Sequence, residues 1–469
     1  MNEIFGLGAS ELAQHIRGKR IGVKEVVEAH LAAIARLNPA INAFCTVAAD
    51  QALEWARTSE GALLRGEDVG PLYGVPIGIK DLTPVAGIRT TWGSTLFRDH
   101  VPTVDAEVVV RLKRAGAIIL GKTNTPEFGA GANTVNDVFG ATRNPWNLTL
   151  SVSGSTGGGA AALASRMVPL AEGGDFGGSL RTPAAFCGVV GLRTTAGLIA
   201  RHPSALPWHD QAVAGPMARN AEDCALLLDA MCGASATSPL SIDPPWRSAH
   251  AIVAASADLK GIRIAYAPDI AGIGVDAEIE SGCRQAARDI ASAGASLVEI
   301  EFDLSDGRDA FLALRGAAMV GTHLDRLNRL DELGVNLAGN IRDGLALGIV
   351  ELARAERKRA EIWHRWRLLF ERFDLLLTPT APVPPFPVEQ NYPDAINGRK
   401  LSSYIDWIAP TFLVSLAALP AASVPAGLTS TRLPIGLQIV GPRFSEPRIL
   451  TAAKFVERSH PIGLPPLHA

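Results

Sequence analysis

The chain reads as an α/β protein built on a large mixed, mostly parallel central sheet covered by helices on both faces. Three features of the sequence predict this. Short aliphatic runs bounded by Pro or Gly, such as VPIGI at 75–79, IIL at 118–120 and LLL at 375–377, alternate with stretches of helical periodicity. GIRIAYAPD, AEIESGCRQAARDIASAGA and SLVEIEFD (261–303) read strand, helix, strand, a βαβ unit that extends the sheet. Gly and Ala are plentiful and charged residues make up only 19% of the 469 residues, which suits a wide, closely packed core.

In chain order, residues 1–65 form a helical lead. SELAQHIRGKR and VKEVVEAHLAAIARLNPAINAF carry apolar residues at helical spacing, with Ser10 as N-cap and Asn38-Pro39 as the stop, and helix continues over 48–64. His15 and His30 fall inside this lead as surface or boundary residues rather than ligands. PLYGVPIGIKD is a buried strand leaving into a loop, and Lys80 begins inside it, where an unpaired ammonium is costly. Asp81 faces the other way if the strand persists. Residues 106–115 form an amphipathic helix, and AIILGKTNTPEFG a strand entering a loop in which Glu127 orders the chain rather than serving as a pocket acid. Asn144-Pro145-Trp146 marks a turn.

The stretch from Ser151 to Arg193 holds two Gly-rich turns, GSTGGG with Ser155 and Thr156, and GGDFGGS ending in Ser179. Glycine there permits close approach of backbone to a ligand. Two hydroxyl sites on such turns point to acyl chemistry. GGGAAALASRM opens a helix, but its G-x-G-x-x-A is no dinucleotide fingerprint, because no apolar strand runs directly into those glycines. Ser153 occupies the first position of a would-be G-x-S-x-G elbow, which disqualifies it.

Beyond Arg193, proline-rich connectors surround one helix, AEDCALLLDAMC, within 200–260. About 305–372 is mostly helical. FDLLLTPTAPVPP, LPAASVPAGL and LPIGLQIVGP are buried strands, and EPRILTAAKFVER is the last helix. No repeat or low-complexity tract appears, and motifs span the chain, so residues 1–469 are read as one domain.

Several function classes drop out. Net charge is −3 with no Lys/Arg run, which gives no surface for nucleic acid or an anionic membrane. The five cysteines (45, 187, 224, 232, 283) form no CxxC pair, so free thiols in a reducing, cytoplasmic compartment are expected. The ten histidines show no metal-ligand spacing, and neither metal nor cofactor is expected. MNEIFGLGASEL lacks the basic flank and apolar core of a signal peptide. The most apolar window, Pro410 to Leu428, has the length of a membrane span but carries Pro410, Pro420 and Pro425, and reads as a loop feeding a buried strand.

The Ser151–Arg193 stretch resembles the amidase signature family, whose pattern runs GGSSGGS, then GTDTGGSIR, then PAAFCGVVGLKPT, with an upstream GIKD. The resemblance covers the centre and both ends, leaving about a third of the chain poorly matched. It implies an α/β amidase signature fold and a serine hydrolase of amide bonds working through an acyl-enzyme, without a cofactor. Carried over, Ser179 is the nucleophile, Ser155 the relay serine after a cis Gly154-Ser155 bond, and Lys80 the base. The backbone N–H groups of Phe176, Gly177 and Gly178 form the oxyanion hole. Thr125, where the family commonly has Met, and Thr156, where it has a second Ser, are assigned to substrate binding. Ser153, Gly174 and Phe176 are further departures that remove no catalytic atom. His202 and His209 are loop histidines rather than triad members. The 305–372 region shapes the pocket. Apolar or aryl amides are expected as substrates, with esters and carbamates also accepted, in a monomer or homodimer. The alternative is the glutamine-amidating component of a tRNA amidotransferase, which shares the fold and needs partner subunits.

Overall fold

The computed structural model describes residues 4–468, apart from 66 and 68. The leader-free reading of the N-terminus falls partly on residues 1–3, outside those described. Eleven strands form one sheet: β1 Phe44–Val47, β2 Pro76–Lys80, β3 Ile118–Thr123, β4 Leu170–Asp175, β5 Val190–Arg193, β6 Val213–Ala218, β7 Arg263–Tyr266, β8 Ser296–Glu299, β9 Leu375–Pro379, β10 Ala421–Leu428 and β11 Pro434–Val440. Their order across the sheet is β1-β3-β2-β4-β6-β5-β10-β11-β9-β7-β8.

The sheet is large and mixed, with helices packed against it, but it is not mostly parallel. β2 pairs in parallel with β3 and β4, and β7 with β8 and β9; the other six neighbour pairs are antiparallel. Connection length explains the balance. Parallel neighbours need a crossover, supplied by helices α4 (Glu107–Arg114) between β2 and β3 and α9 (Ala277–Ala291) between β7 and β8. β10 and β11 are joined by only residues 429–433, which forces them antiparallel.

The helices in chain order are α1 Ala9–Arg17, α2 Val23–Ile41, α3 Ala49–Leu64, α4, α5 Gly157–Ala164, α6 Arg181–Cys187, α7 Ala221–Met231, α8 Ala249–Ala255, α9, α10 Arg308–Thr322, α11 Val335–Leu345, α12 Ile349–Arg372, α13 Ala409–Leu416 and α14 Glu446–Ser459. Every residue of α5 and α6 is buried, so these two helices lie in the interior of the fold. A second apolar core, beside the one built on the N-terminal helices, α7 and α14, gathers Phe311, Ile362, Trp366, Trp407 and Phe412.

Four local expectations are corrected. Ser10 does not cap α1; the N–H groups of Ala9 and Ser10 both donate to the carboxylate of Asp223 at 2.8 Å, a cap delivered from α7. Pro39 does not stop α2, which runs to Ile41 and closes at Asn42 in the left-handed conformation (φ 58°). The segment at Pro410 is a helix, not a loop: Pro410 stands in the first turn of α13, where its missing N–H costs nothing. β6 lies in what reads as a connector because Gly215-Pro216 mimics a break.

Candidate active site

Adjacent parallel strands β2 and β4, with Ile79 opposite Glu172, end side by side. The crevice beyond the carboxyl ends of such strands is where α/β sheets place their ligands. β2 ends on Lys80 and β4 on Asp175, and the turn before α5 brings Ser155 and Thr156 against both. Lys80, Ser155 and Ser179 line one cavity of about 360 Å³.

Lys80 is buried, and its Nζ donates to Ser155 Oγ at 2.7 Å and to Thr156 Oγ1 at 2.8 Å. Burial pushes its ammonium down to about 7, against the opposing pull of Glu172 and Asp175. Gly154-Ser155 is a cis peptide. Ser179 is half-buried in the cavity wall. Its carbonyl accepts from Thr156 N–H at 3.1 Å, while among the described residues no hydrogen bond joins its Oγ to Ser155. Close packing sets this geometry: a Cβ on Gly173 would come within 2.4 Å of Thr156 Cγ2.

The turn that carries Ser179 is held by Asp175. Its carboxylate accepts from Gly178 N–H at 3.0 Å, Leu180 N–H at 3.2 Å, Arg181 in bidentate fashion and Arg193 at 3.2 Å. Burial alone would raise its pKa, but the two guanidinium groups hold it well below the carboxylate range. Arg181 also donates to Gln438, Ser415 Oγ and the Thr411 carbonyl, which ties the turn to β11 and α13. Gly178 has φ 135°, and a Cβ there would meet Thr411 Oγ1 at 2.2 Å. Asp175 and Arg181 stand inside the GGDFGGSLR string, so their place is visible in the sequence although their role as a brace is not.

Other assignments fare differently. Gly178 N–H is committed to Asp175 and is not available to a ligand. Among the described residues, the N–H groups of Phe176, Gly177 and Ser179 have no backbone or side-chain acceptor, which adds Ser179 as a donor the sequence reading passes over. Thr125 does not line the cavity: it is buried in the loop behind it, its carbonyl accepting from Asn136 Nδ2 at 2.8 Å. Thr156 is likewise absent from the wall and holds Lys80 instead. Glu127 accepts from Ser94 Oγ and Gly334 N–H at 2.6 Å each, pinning its loop to α11.

His202 and His209 line the cavity, and neither bonds Ser179 among the described residues. His209 stands edge-on to Phe176 (4.9 Å between ring centres), and burial, with Arg201 nearby, pushes it down to about 4. His323, not singled out in the sequence, also lines the cavity and packs on Phe128 at 4.7 Å. The remaining wall includes Phe311, Arg315, Met319, Tyr404 and Ile408, mostly from α10. Glu172 is a buried carboxylate in the wall, accepting from Thr83 Oγ1 at 3.0 Å and Lys80 N–H at 3.3 Å, and burial raises its pKa. Among the described residues, no group of three or more His, Cys, Asp or Glu is placed to hold a metal, and no helix is long and apolar enough to cross a membrane.

Comparisons with known proteins agree with one another. The family model described as Amidase matches residues 25–450. An acylamidase of Rhodococcus erythropolis is 37% identical over 460 residues, covering 96% of this chain and 94% of that protein. The A subunit of the glutamyl-tRNA(Gln) amidotransferase of Alkaliphilus metalliredigens is 33% identical over 466 residues, covering 94% of each. The crystal structure of a bacterial aryl acylamidase superposes with a TM-score of 0.89 at 29% identity, covering 97% of this chain and 96% of that one.

Proposed function

The chain belongs to the amidase family, the amidase signature enzymes, and on that premise we propose that it hydrolyses apolar or aryl amides through an acyl-enzyme on Ser179. One observation carries the proposal: a buried lysine, pushed down to about 7, bonded at 2.7 Å to a serine that shares a cavity with Ser179. Neutral Lys80 accepts the Ser155 proton as Ser155 takes that of Ser179, whose Oγ attacks the carbonyl. The relay closes when Ser179 Oγ turns toward Ser155, a contact that tightens on substrate binding. The negative oxygen is met by the N–H groups of Phe176, Gly177 and Ser179, each such donor being worth about 3 kcal/mol of barrier. Lys80 then returns the proton through Ser155 to the leaving nitrogen, and water repeats the path to release the acid. Esters and carbamates fit the same cycle because their leaving groups ask less of the acid.

Phe176, Phe311, Met319 and Ile408 in the wall support apolar or aryl arms. Kinship to the amidotransferase supports a second reading, glutamine-dependent transamidation with partner subunits. The wall favours the first, since its two acids are engaged by the protein, Glu172 with Thr83 and the Lys80 N–H and Asp175 with Arg181 and Arg193, rather than set aside for the ammonium of glutamine. Ser179→Ala should abolish anilide turnover and labelling by a fluorophosphonate. Recovery of the label on another residue rejects the assignment, and ammonia release from glutamine by the isolated chain, faster than from acetanilide, favours the second reading.

A further inference from the structure

α10 turns one face to the cavity: Phe311, Arg315, Ala318, Met319 and Thr322 recur at helical spacing in its wall. On that face Arg315 is the one charge. It is only 6% exposed, and among the described residues no carboxylate pairs with it. Its two terminal nitrogens donate to Asn340 Oδ1 and to Tyr404 OH (2.9 Å), which leaves three of its five N–H groups without an acceptor among the described residues. The guanidinium lies near two rings, its carbon 5.9 Å from the centre of Phe176 and 5.8 Å from that of Tyr404. The other charged groups in the wall are engaged elsewhere: Glu172 with Thr83 and the Lys80 N–H, Asp175 with Arg181 and Arg193, Lys80 with Ser155 and Thr156, and the second guanidinium, Arg201, with the Ala212 carbonyl at 2.9 Å.

A buried cation without an anion is costly, and a polar bridge from α10 to α11 could be built from a neutral side chain. Held rigidly by two partners, with donors to spare on a planar fork, Arg315 has the geometry that meets a carboxylate with two parallel hydrogen bonds. We propose that Arg315 is a carboxylate-binding subsite of the cavity, and that the substrates are apolar or aryl amides carrying one carboxylate remote from the bond that is cut. This rests on the amidase reading above and narrows it. It also qualifies the expectation of apolar or aryl amides: the body of the substrate is apolar and its far end anionic. Phe176 links the two functions, since its ring lies under Arg315 and its N–H belongs to the turn of Ser179.

Binding to the Ser179→Ala protein tests the subsite without requiring turnover. Two isosteric pairs serve as probes by titration calorimetry: N-succinyl- against N-butyryl-4-nitroanilide for the acyl arm, and 4-acetamidobenzoate against 4-acetamidotoluene for the leaving arm. On one arm the carboxylate should bind more tightly than its neutral partner, and adding Arg315→Gln should weaken the carboxylate at least thirtyfold more than the neutral compound. Arg315→Lys, which keeps the charge but not the fork, should give an intermediate loss and decides the matter if the Gln variant does not fold. Equal weakening of both members of both pairs, or no preference for the carboxylate on either arm, overturns the subsite. Turnover of any probe by Ser179→Ala would instead defeat the Ser179 reading, so the two failures are separable.

Discussion

Thr156 Oγ1 lies 2.8 Å from Lys80 Nζ and 3.3 Å from the carbonyl oxygen of Gly174, to which it donates. With its own hydrogen spent on that carbonyl, the hydroxyl can only accept from the lysine. A neutral amine has two N–H groups and one lone pair. With one N–H given to Thr156, the neutral amine keeps one N–H and its lone pair for the 2.7 Å contact with Ser155, and a base requires that the lone pair take that contact. The threonine therefore holds the amine beside Ser155 from behind, without lining the cavity.

Thr156→Val keeps the branched shape and removes the acceptor. It should lower kcat for an anilide by about tenfold to a hundredfold, roughly 1.4 to 2.7 kcal/mol of barrier, with KM little changed. Thr156→Ser keeps the hydroxyl and should retain most activity. A Val variant as active as the parent would show that the lysine orients itself.

Glu172 sits beside Lys80 with its carboxylate pulling the lysine pKa upward against burial. Replacing it by Gln keeps an acceptor for Thr83 and removes the negative charge. A cation loses stabilisation when a neighbouring anion is removed, so the lysine pKa falls further below about 7. The rising limb of the pH profile of kcat/KM should move to lower pH in Glu172→Gln. A limb that stays in place, or moves upward, would show that the carboxyl does not act on the base.

The sequence carries the chemistry further than the architecture. Gly-rich turns and an apolar run around Lys80 are local signals, and the structure brings Lys80, Ser155 and Ser179 to one cavity. The balance of parallel and antiparallel pairs escapes a sequence reading because direction depends on which distant strands become neighbours: β6 inserts between β4 and β5, which no local pattern announces. The same limit hides the Asp223 cap of α1, more than two hundred residues away, and the brace of Asp175 by Arg193. Thr156 stands inside the first Gly-rich turn and Thr125 in the loop after β3, yet both are buried and neither lines the cavity. Arg315 and His323 leave no trace in the sequence beyond lying in a helical region.

Lys80 separates this chemistry from that of a histidine base. Below about pH 7 the amine is protonated and has no lone pair, so activity should fall as pH drops through that value and level off above it. The observed pKa belongs to the coupled set of Lys80, Ser155 and Ser179 rather than to the lysine alone. Removing the amine removes base and acid together. Lys80→Ala should therefore lose most amide turnover while aryl ester turnover suffers less, because a phenoxide departs with little help from an acid and an amine does not. Lys80→Arg should fail to restore it, since a guanidinium stays protonated at any working pH. His209, held down at about 4, is neutral throughout this range and free to accept a proton, yet no hydrogen bond ties it to Ser179 among the described residues. Ala at His202 or His209 should leave the rate within about tenfold, a margin of roughly 1.4 kcal/mol of barrier. The decisive comparison is of these variants side by side on one anilide and one aryl ester across pH. A dead histidine variant alongside a Lys80→Ala protein of near-normal amidase activity would overturn the lysine assignment.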